Sequence, residues 1–263
     1  MARTMALAFY NETRKGLLLI WDYKLSMFTQ ILMFGMIFLG ITFLMGDGSF
    51  QPDKTASILI GYLVWFFYNL AINDLSWNLM EETQTGTLEQ MYMSPAPSGL
   101  VVLGRGFARF VFSVVMLVLL GGVLITLLDM QITFRPAALP LFLLILMGVY
   151  GFGFAMAGVT LVVKQVGTLA NLMGNLLLFL NGTLLPIDKL PDWLAAFSKT
   201  LPTTQGIVVL RQVMLGGRTL AGTWQDGSLL YLLVHSSICL ALGWMVFKWC
   251  ENRAKLKGTL GQY

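Results

Sequence analysis

The sequence predicts an all-α integral membrane protein with six transmembrane helices, and three observations support this class. Of the 263 residues, 57% are hydrophobic and 11% are charged, whereas soluble domains carry about 25% charged residues. Several continuous apolar runs reach the roughly 20 residues that a helix needs to cross a bilayer. These runs lack the alternation of apolar and polar residues found in the strands of membrane barrels, so we expect helices.

Six apolar runs mark the predicted spans. In chain order they cover residues 25–45, 56–79, 110–128, 137–163, 166–185 and 229–249. The third span begins earlier, near Gly99, if Arg105 and Arg109 extend their side chains to the interface. The first run follows a polar and mixed segment without a small-residue cleavage site, so we expect a retained span and not a signal peptide.

The basic residues predict the orientation of the chain. With the N-terminus inside, 11 of the 17 Lys and Arg residues lie on the cytoplasmic side and 6 on the other side. This excess agrees with the positive-inside rule and places both termini in the cytoplasm. We expect a multi-pass protein of the cell (inner or plasma) membrane, in contact with lipids. No nucleic acid partner is expected, because the basic residues form no patch with interleaved aromatics.

This topology gives one transmembrane domain over residues 1–263, with seven segments. They are a cytosolic interface helix (1–24), spans 1 and 2 (25–79), a cytosolic helix (80–98), spans 3 to 5 (99–185), outer re-entrant helices (186–217), span 6 (224–249) and a cytosolic tail (250–263). The interface helix is predicted because residues 3–21 mix apolar and charged residues and are too short to span. A frayed terminus is the alternative.

Few residues are suited to catalysis or metal binding. Cys239 and Cys250 fall in or beside the last span, and the single histidine, His235, lies in its outer half. Two cysteines do not make a metal site, and no HExxH, Walker-type loop or Ser/His/Asp set is present. We expect no catalytic residue, metal or cofactor in this chain. His235 is expected to pack or hydrogen-bond, with a proton-sensitive role as the alternative.

The outer segment after span 5 predicts a first short helix over residues 193–199. Pro191 ends the preceding structure and Asp192 is placed to cap the helix. Trp193 and Phe197, at i and i+4, share one apolar face of this helix.

A second short helix is predicted to follow, ending at Leu215. Pro202 breaks the first helix, and Thr203 or Thr204 is placed to cap the second. Its apolar run is too short to cross a bilayer and contains Arg211. We therefore expect a pair of helices that dip into the outer leaflet, since an exposed loop would leave many apolar side chains in water.

Polar side chains inside two spans are candidate pathway residues. Polar groups in hydrocarbon are costly and usually face a bundle interior, a partner or a water-filled path. Interhelical hydrogen bonds that only fix packing explain them equally well. Asp74 is the most informative, because an ionised carboxylate requires a partner or water. The candidates are Asn69, Asn73, Asp74 and Asn78 in span 2 and Asn171 and Asn175 in span 5, with the aromatic residues Trp65 and Tyr68 as possible substrate contacts.

The cytosolic segment MEETQTGTLEQMYMSP, residues 80–95, predicts a docking helix. Leu88, Met91 and Tyr92 fall at i, i+3 and i+4 and form a small apolar stripe. A loop between antiparallel helices usually needs only two to eight residues, and this segment is longer. It therefore suits a groove on a cytosolic partner. Its acids are Glu81, Glu82 and Glu89.

Two motifs resemble those of permease subunits of the ABC type-2 exporter family. The first comprises Glu81, Glu82, Gly86, Thr87, Leu88, Glu89, Gln90, Ser94 and Pro95, followed by Arg105. The second comprises Leu190, Pro191, Asp192, Trp193 and Leu194, then Leu201, Pro202 and Arg211. The resemblance covers essentially the whole chain, from the interface helix to the short basic tail.

The resemblance implies a subunit that dimerises and binds two cytosolic ABC ATPase subunits, which would bind ATP and Mg²⁺. The helix containing GTLEQ would be the coupling helix that transmits ATP-driven movement. The outer helical pair would act as a gate or lateral exit for an amphipathic substrate such as a drug, lipid or glycan. The second permease copy would be identical or a close relative.

Two other classes remain open on the sequence. An ion-gradient-driven secondary transporter would use Asp74 as its coupling carboxylate, although no inverted repeat is visible. A membrane scaffold or receptor would use the cytosolic helix to recruit a partner that is not an ATPase.

Overall fold

The computed structural model describes residues 10–11, 13–15, 18, 24–84, 98–132, 135–162, 166–201 and 203–257. Within these residues the chain is helical and has no β-strand. The helices are α1 (Lys24–Met45), α2 (Pro52–Gln84), α3 (Ser98–Leu127), α4 (Ala138–Val162), α5 (Val166–Leu180), a 3-10 helix (Ile187–Lys189), α6 (Asp192–Thr200), α7 (Thr204–Met214), α8 (Leu220–Gln225) and α9 (Ser228–Lys257).

Five of the described helices, α1, α2, α3, α4 and α9, are long and apolar enough to cross a membrane. They confirm an all-α integral membrane protein. Helix α5 differs, because its 15 residues extend only about 22 Å, which is less than the roughly 30 Å of a bilayer core. It ends at Leu180, five residues before the predicted end of span 5, because Gly182 takes a left-handed φ of 79°.

Helices α2 and α9 continue beyond the predicted ends of their spans. The 33 residues of α2 extend about 50 Å, which is about 20 Å more than the thickness of a hydrocarbon core. Residues 80–84, expected to open a separate cytosolic helix, instead continue α2. Helix α9 runs to Lys257, through a part of the chain that we expected to be a tail.

The predicted pair of short helices is present as α6 and α7, but the cap predicted for α6 is wrong. Pro191 occupies the N-cap of α6, so Asp192 is the first helical residue, where its charge still suits the helix dipole. Thr203, one of the two positions predicted, occupies the N-cap of α7, but its backbone is in the αR region and its side chain makes no cap bond. Its hydroxyl accepts a hydrogen bond from the Asn181 amide at 3.4 Å. Helix α7 ends at Met214, and Gly217 then takes a φ of 72°.

Helices α4 and α9 pack with their backbones in close approach. A methyl group added at Gly243 of α9 would overlap the Gly151 carbonyl of α4. One turn further along α9, the Phe247 Cα would lie 2.6 Å from a methyl group added at Gly158 of α4. Glycine is therefore required at these crossings, as in close helix pairs of other membrane proteins.

The core is aromatic and centres on α2. Phe38, Tyr62, Phe66 and Phe67 are all fully buried, and the Tyr62 hydroxyl donates a 2.7 Å hydrogen bond to the Phe34 carbonyl of α1. This core fixes the rotation of α2 and so determines which of its polar side chains reach a neighbour. Of the predicted interface helix, the described residues 10–11, 13–15 and 18 are helical.

Candidate functional site

The predicted docking stripe lies mostly outside the described residues. The predicted docking residues outside the described part of the chain fall within residues 85–97 and are Gly86, Thr87, Leu88, Glu89, Met91 and Tyr92. For Glu81 and Glu82 the structure describes the backbone, which belongs to the last turns of α2. Glu81 and Glu82 therefore lie on the continuous extension of α2, the helix at the centre of the core.

Trp65 and Asn69 join α2 to α5. The Trp65 indole donates a 2.7 Å hydrogen bond to the Gly174 carbonyl, and the Asn69 amide donates to the Trp65 carbonyl at 3.2 Å. A methyl group added at Gly174 would lie 2.8 Å from the Asn69 side-chain oxygen. Both side chains are buried, so they act in helix packing within this chain.

Tyr68 is buried on the same helix. Its ring lies 5.7 Å from that of Phe152 on α4, and only 1% of the residue is exposed. Tyr68 therefore packs between helices of its own chain in the described arrangement. The side chains of Asn73, Asp74 and Asn78, the other candidates on α2, lie outside the part of the chain that is described.

Asn171 and Asn175 lie on the exposed side of α5, beside the face that contacts α2. Both are exposed, as are Leu172, Leu176 and Phe179 around them. The two asparagines therefore point away from the packed bundle, one turn apart. Among the described members of the predicted pathway set, three on α2 are thus buried (Trp65, Tyr68 and Asn69) and two on α5 are exposed (Asn171 and Asn175).

Arg211 binds three backbone carbonyls from two other parts of the fold. Its Nε donates to the Ser57 carbonyl of α2 at 2.9 Å. Its Nη1 and Nη2 donate to the Gly182 and Thr183 carbonyls after α5, at 2.7 and 2.8 Å. We call this set of contacts the Arg211 clamp. It attaches α7 to the start of α2 and to the end of α5.

The surroundings of the clamp leave no spare room. A methyl group at Gly61 would lie 2.8 Å from Nη2 of Arg211 and 2.9 Å from the Thr183 Cα. The Thr183 N–H donates to the Asn181 side-chain oxygen at 3.0 Å, which holds the turn in place. Gly61 is a functional candidate that the sequence reasoning missed, whereas Asn181 belongs to the polar residues of span 5 that the sequence indicated as possible pathway residues. A glycine within an apolar span was the available signal.

The electrostatics of the clamp are those of a buried cation held by dipoles. Burial lowers the pKa of Arg211 to about 10, so the guanidinium keeps its charge at neutral pH. Among the described residues its recorded partners are carbonyl oxygens and include no carboxylate. Carbonyl dipoles compensate the charge only while all three stay in position, so the clamp favours a single arrangement.

Helix α6 rests on α9 and exposes its aromatic face. The His235 ring lies 3.1 Å from the Thr200 carbonyl, measured from Nε2, and it stacks on Tyr231 at 5.7 Å. Trp193 and Phe197 are 73% and 52% exposed, as expected for a face directed to lipid or to a partner. The residues predicted to form the outer gate also include Pro191, Pro202 and Arg211. Pro191 occupies the N-cap position of α6, and Pro202 lies outside the described residues.

The architecture is that of a multi-pass membrane protein with a short outer helical pair clamped to its bundle. The sequence model of the ABC-2 type transporter family matches residues 9–215. The chain therefore belongs to the ABC-2 type transporter family. A search of curated proteins found no match.

Family membership makes this chain a permease of an ABC transporter. Such a permease is a transport subunit of the membrane and is not itself catalytic, and the family typically works with ATPase subunits. The matched region includes both segments on which the resemblance rested, the cytosolic segment and the outer helical pair.

Proposed function

We propose that this chain is the membrane-spanning half of an ATP-driven exporter. The observation that carries the proposal is the family match, which runs from the interface segment through α7. In this proposal α5 is the fifth of six spans and crosses the membrane together with the turn that follows it. Both termini lie in the cytoplasm of a cell (inner or plasma) membrane, as the distribution of basic residues favours.

The proposed coupling element is the connection between α2 and α3. Helix α2 is about 20 Å longer than a hydrocarbon core is thick, so a push on its end is transmitted along one continuous helix. Two ATPase subunits would bind the connections of two permease copies, with Leu88, Met91 and Tyr92 as the docking stripe. ATP and Mg²⁺ would be bound by those subunits, and closure of the ATPase pair would displace both connections together.

The proposed dimer uses the exposed face of α5. Two asparagines in a bilayer are costly unless they meet hydrogen-bonding partners or water. Asn171 and Asn175 have that need, because they point away from their own bundle. A second permease copy facing them would satisfy both amides and create a polar strip between the subunits, where a substrate could pass.

The proposed outer gate is the pair α6–α7, with the Arg211 clamp as its latch. When α2 moves, the Ser57 carbonyl moves relative to α7, and the clamp must break or carry α7 with it. Both outcomes transmit a cytosolic movement to the outer side. The exposed aromatic face of α6 and the apolar bundle suit an amphipathic substrate such as a drug, lipid or glycan.

Copurification with the ATPase tests this function. The permease with Leu88, Met91 and Tyr92 all changed to Glu should lose its ATPase subunits and their permease-stimulated hydrolysis. The matched control is Leu256→Glu, which adds an acid at an 88% exposed position on the last turn of α9. Retention of stimulated hydrolysis by the triple variant would refute the docking assignment.

A further inference from the structure

An apolar cavity of about 520 Å³ opens between α2, α3, α4 and α7. Its size lies within the range of small-molecule sites. Each helix contributes apolar side chains or glycine, for example Leu63 of α2, Phe142 of α4 and Met214 of α7. Among the residues that the structure describes, no charged or hydrogen-bonding side chain lines it. Such a cavity takes hydrocarbon and excludes polar ligands.

The cavity opens onto an exposed apolar surface of the bundle. Val118 and Leu139 line it and are 62% and 52% exposed. Gly122 also lines it, and a methyl group added there would meet no atom within 4 Å. The lining on α3 extends from Val114 to Ile125, which is about 17 Å along the helix. That length is close to half of the roughly 30 Å hydrocarbon core, or one leaflet.

A cation lies close in the chain to two lining residues of this cavity, Ala138 and Met214. Arg135 precedes α4, and its carbonyl accepts the Ala138 N–H at 2.9 Å. Its guanidinium lies beside Gly217, three residues beyond Met214, because a methyl group there would be 3.4 Å from both terminal nitrogens. Ala138 and Met214 themselves line the cavity. Within the described residues Arg135 has no recorded ion pair or side-chain hydrogen bond.

We propose that this cavity binds one acyl chain of an anionic membrane phospholipid, with the phosphate on Arg135. The dimensions match a chain within one leaflet, and a guanidinium is the side chain best suited to a phosphate. The site is on the opposite side of α2 from Trp65 and its α5 contact, so the lipid is a resident ligand and not cargo. The proposal does not depend on the export function.

Native mass spectrometry of the detergent-purified permease tests this proposal. Phosphatidylglycerol and phosphatidylcholine with identical chains are titrated separately. The unaltered protein should bind phosphatidylglycerol more tightly. Gly122→Leu fills the cavity and should weaken both lipids by about tenfold or more. Arg135→Gln should weaken both lipids, because both carry a phosphate, but should weaken phosphatidylglycerol more, because only this lipid has a net negative charge, and so should remove the preference.

Two further variants make the result decisive. Gly40→Leu adds the same side chain on α1, where a methyl group also meets no atom within 4 Å, and should leave binding unchanged. Val118→Phe fills the cavity from an exposed position and replaces Gly122→Leu if that variant does not fold. Unchanged lipid affinity in a folded cavity-filling variant would overturn the site. Equal affinity for the two lipids in the unaltered protein would overturn the role of Arg135.

Discussion

Replacing Arg211 with methionine tests whether the clamp holds the outer helical pair to the bundle. Methionine has a similar length and is apolar, so the change removes three charge-assisted hydrogen bonds of 2.7 to 2.9 Å. The carbonyls of Gly182 and Thr183 belong to a turn outside any helix, and their loss of a partner is costly. The Ser57 carbonyl lies in the first turns of α2 and loses less.

The size of the effect follows from these contacts. A hydrogen bond to a charged group contributes about 1.5–3 kcal/mol, so the three bonds together contribute several kcal/mol. Removing a buried charge recovers part of this, because its desolvation cost is also removed. We expect a net loss of about 3 kcal/mol in the free energy of opening α7, or roughly a hundredfold in the opening equilibrium. Lysine should recover only part of it, because its single ammonium cannot reproduce the planar fork.

Hydrogen exchange of the α7 amides measures this opening directly. Arg218→Met is the matched control, because Arg218 is a half-exposed arginine after the same helix that pairs with Asp226 and Gln212. An exposed pair of this kind contributes about 0–1 kcal/mol, so exchange in α7 should change little. If Arg211→Met and Arg218→Met had the same effect on α7, the clamp would have no holding role.

Three more predictions address helix packing and assembly. Trp65→Phe removes the indole bond to Gly174 and should lower the unfolding free energy by about 1 kcal/mol, measured by denaturant titration in detergent; no change would mean that the bond is replaced by another. Gly243→Leu should unfold or misassemble the protein, because the added side chain overlaps the Gly151 carbonyl; a normal melting temperature would contradict the α4–α9 packing. Asn175→Leu should leave the stability of the single subunit unchanged and weaken dimers in size-exclusion chromatography with light scattering, and unaltered dimerisation would contradict the α5 interface.

The spans and the outer pair were predictable because local signals determine them. Continuous apolar runs of bilayer length identify α1, α2, α3, α4 and α9 irrespective of how they pack. Proline and glycine act on their own neighbours, so Pro191 and Gly217 marked the outer pair correctly. The side-chain caps were less predictable because a cap bond depends on the local backbone conformation. Pro191 takes the N-cap of α6 in place of Asp192, and Thr203 occupies the predicted N-cap of α7 with an αR backbone and no side-chain cap bond.

The functional contacts were less predictable because most of them use backbone atoms. Arg211 was identified as a gate residue, but its three carbonyl partners have no sequence signature. On the sequence alone, the polar residues of α2 and α5 could not be distinguished and formed a single set of candidate pathway residues. The packing of the two helices separates them. Asn69 is buried on α2, whereas Asn175 on α5 is exposed.

The most direct test of the central claim is whether ATP binding in the cytosol moves the outer helical pair. Phe197 is exposed on α6, so Phe197→Cys carries a spin label in a background without Cys239 and Cys250. Distances between the labels of two permease copies are measured in the complex with its ATPase, without nucleotide and with a non-hydrolysable ATP analogue. We expect the distance distribution to shift with nucleotide, and the shift to disappear when Leu88 is changed to Glu. The same distribution with and without nucleotide would contradict ATP-driven gating by this chain.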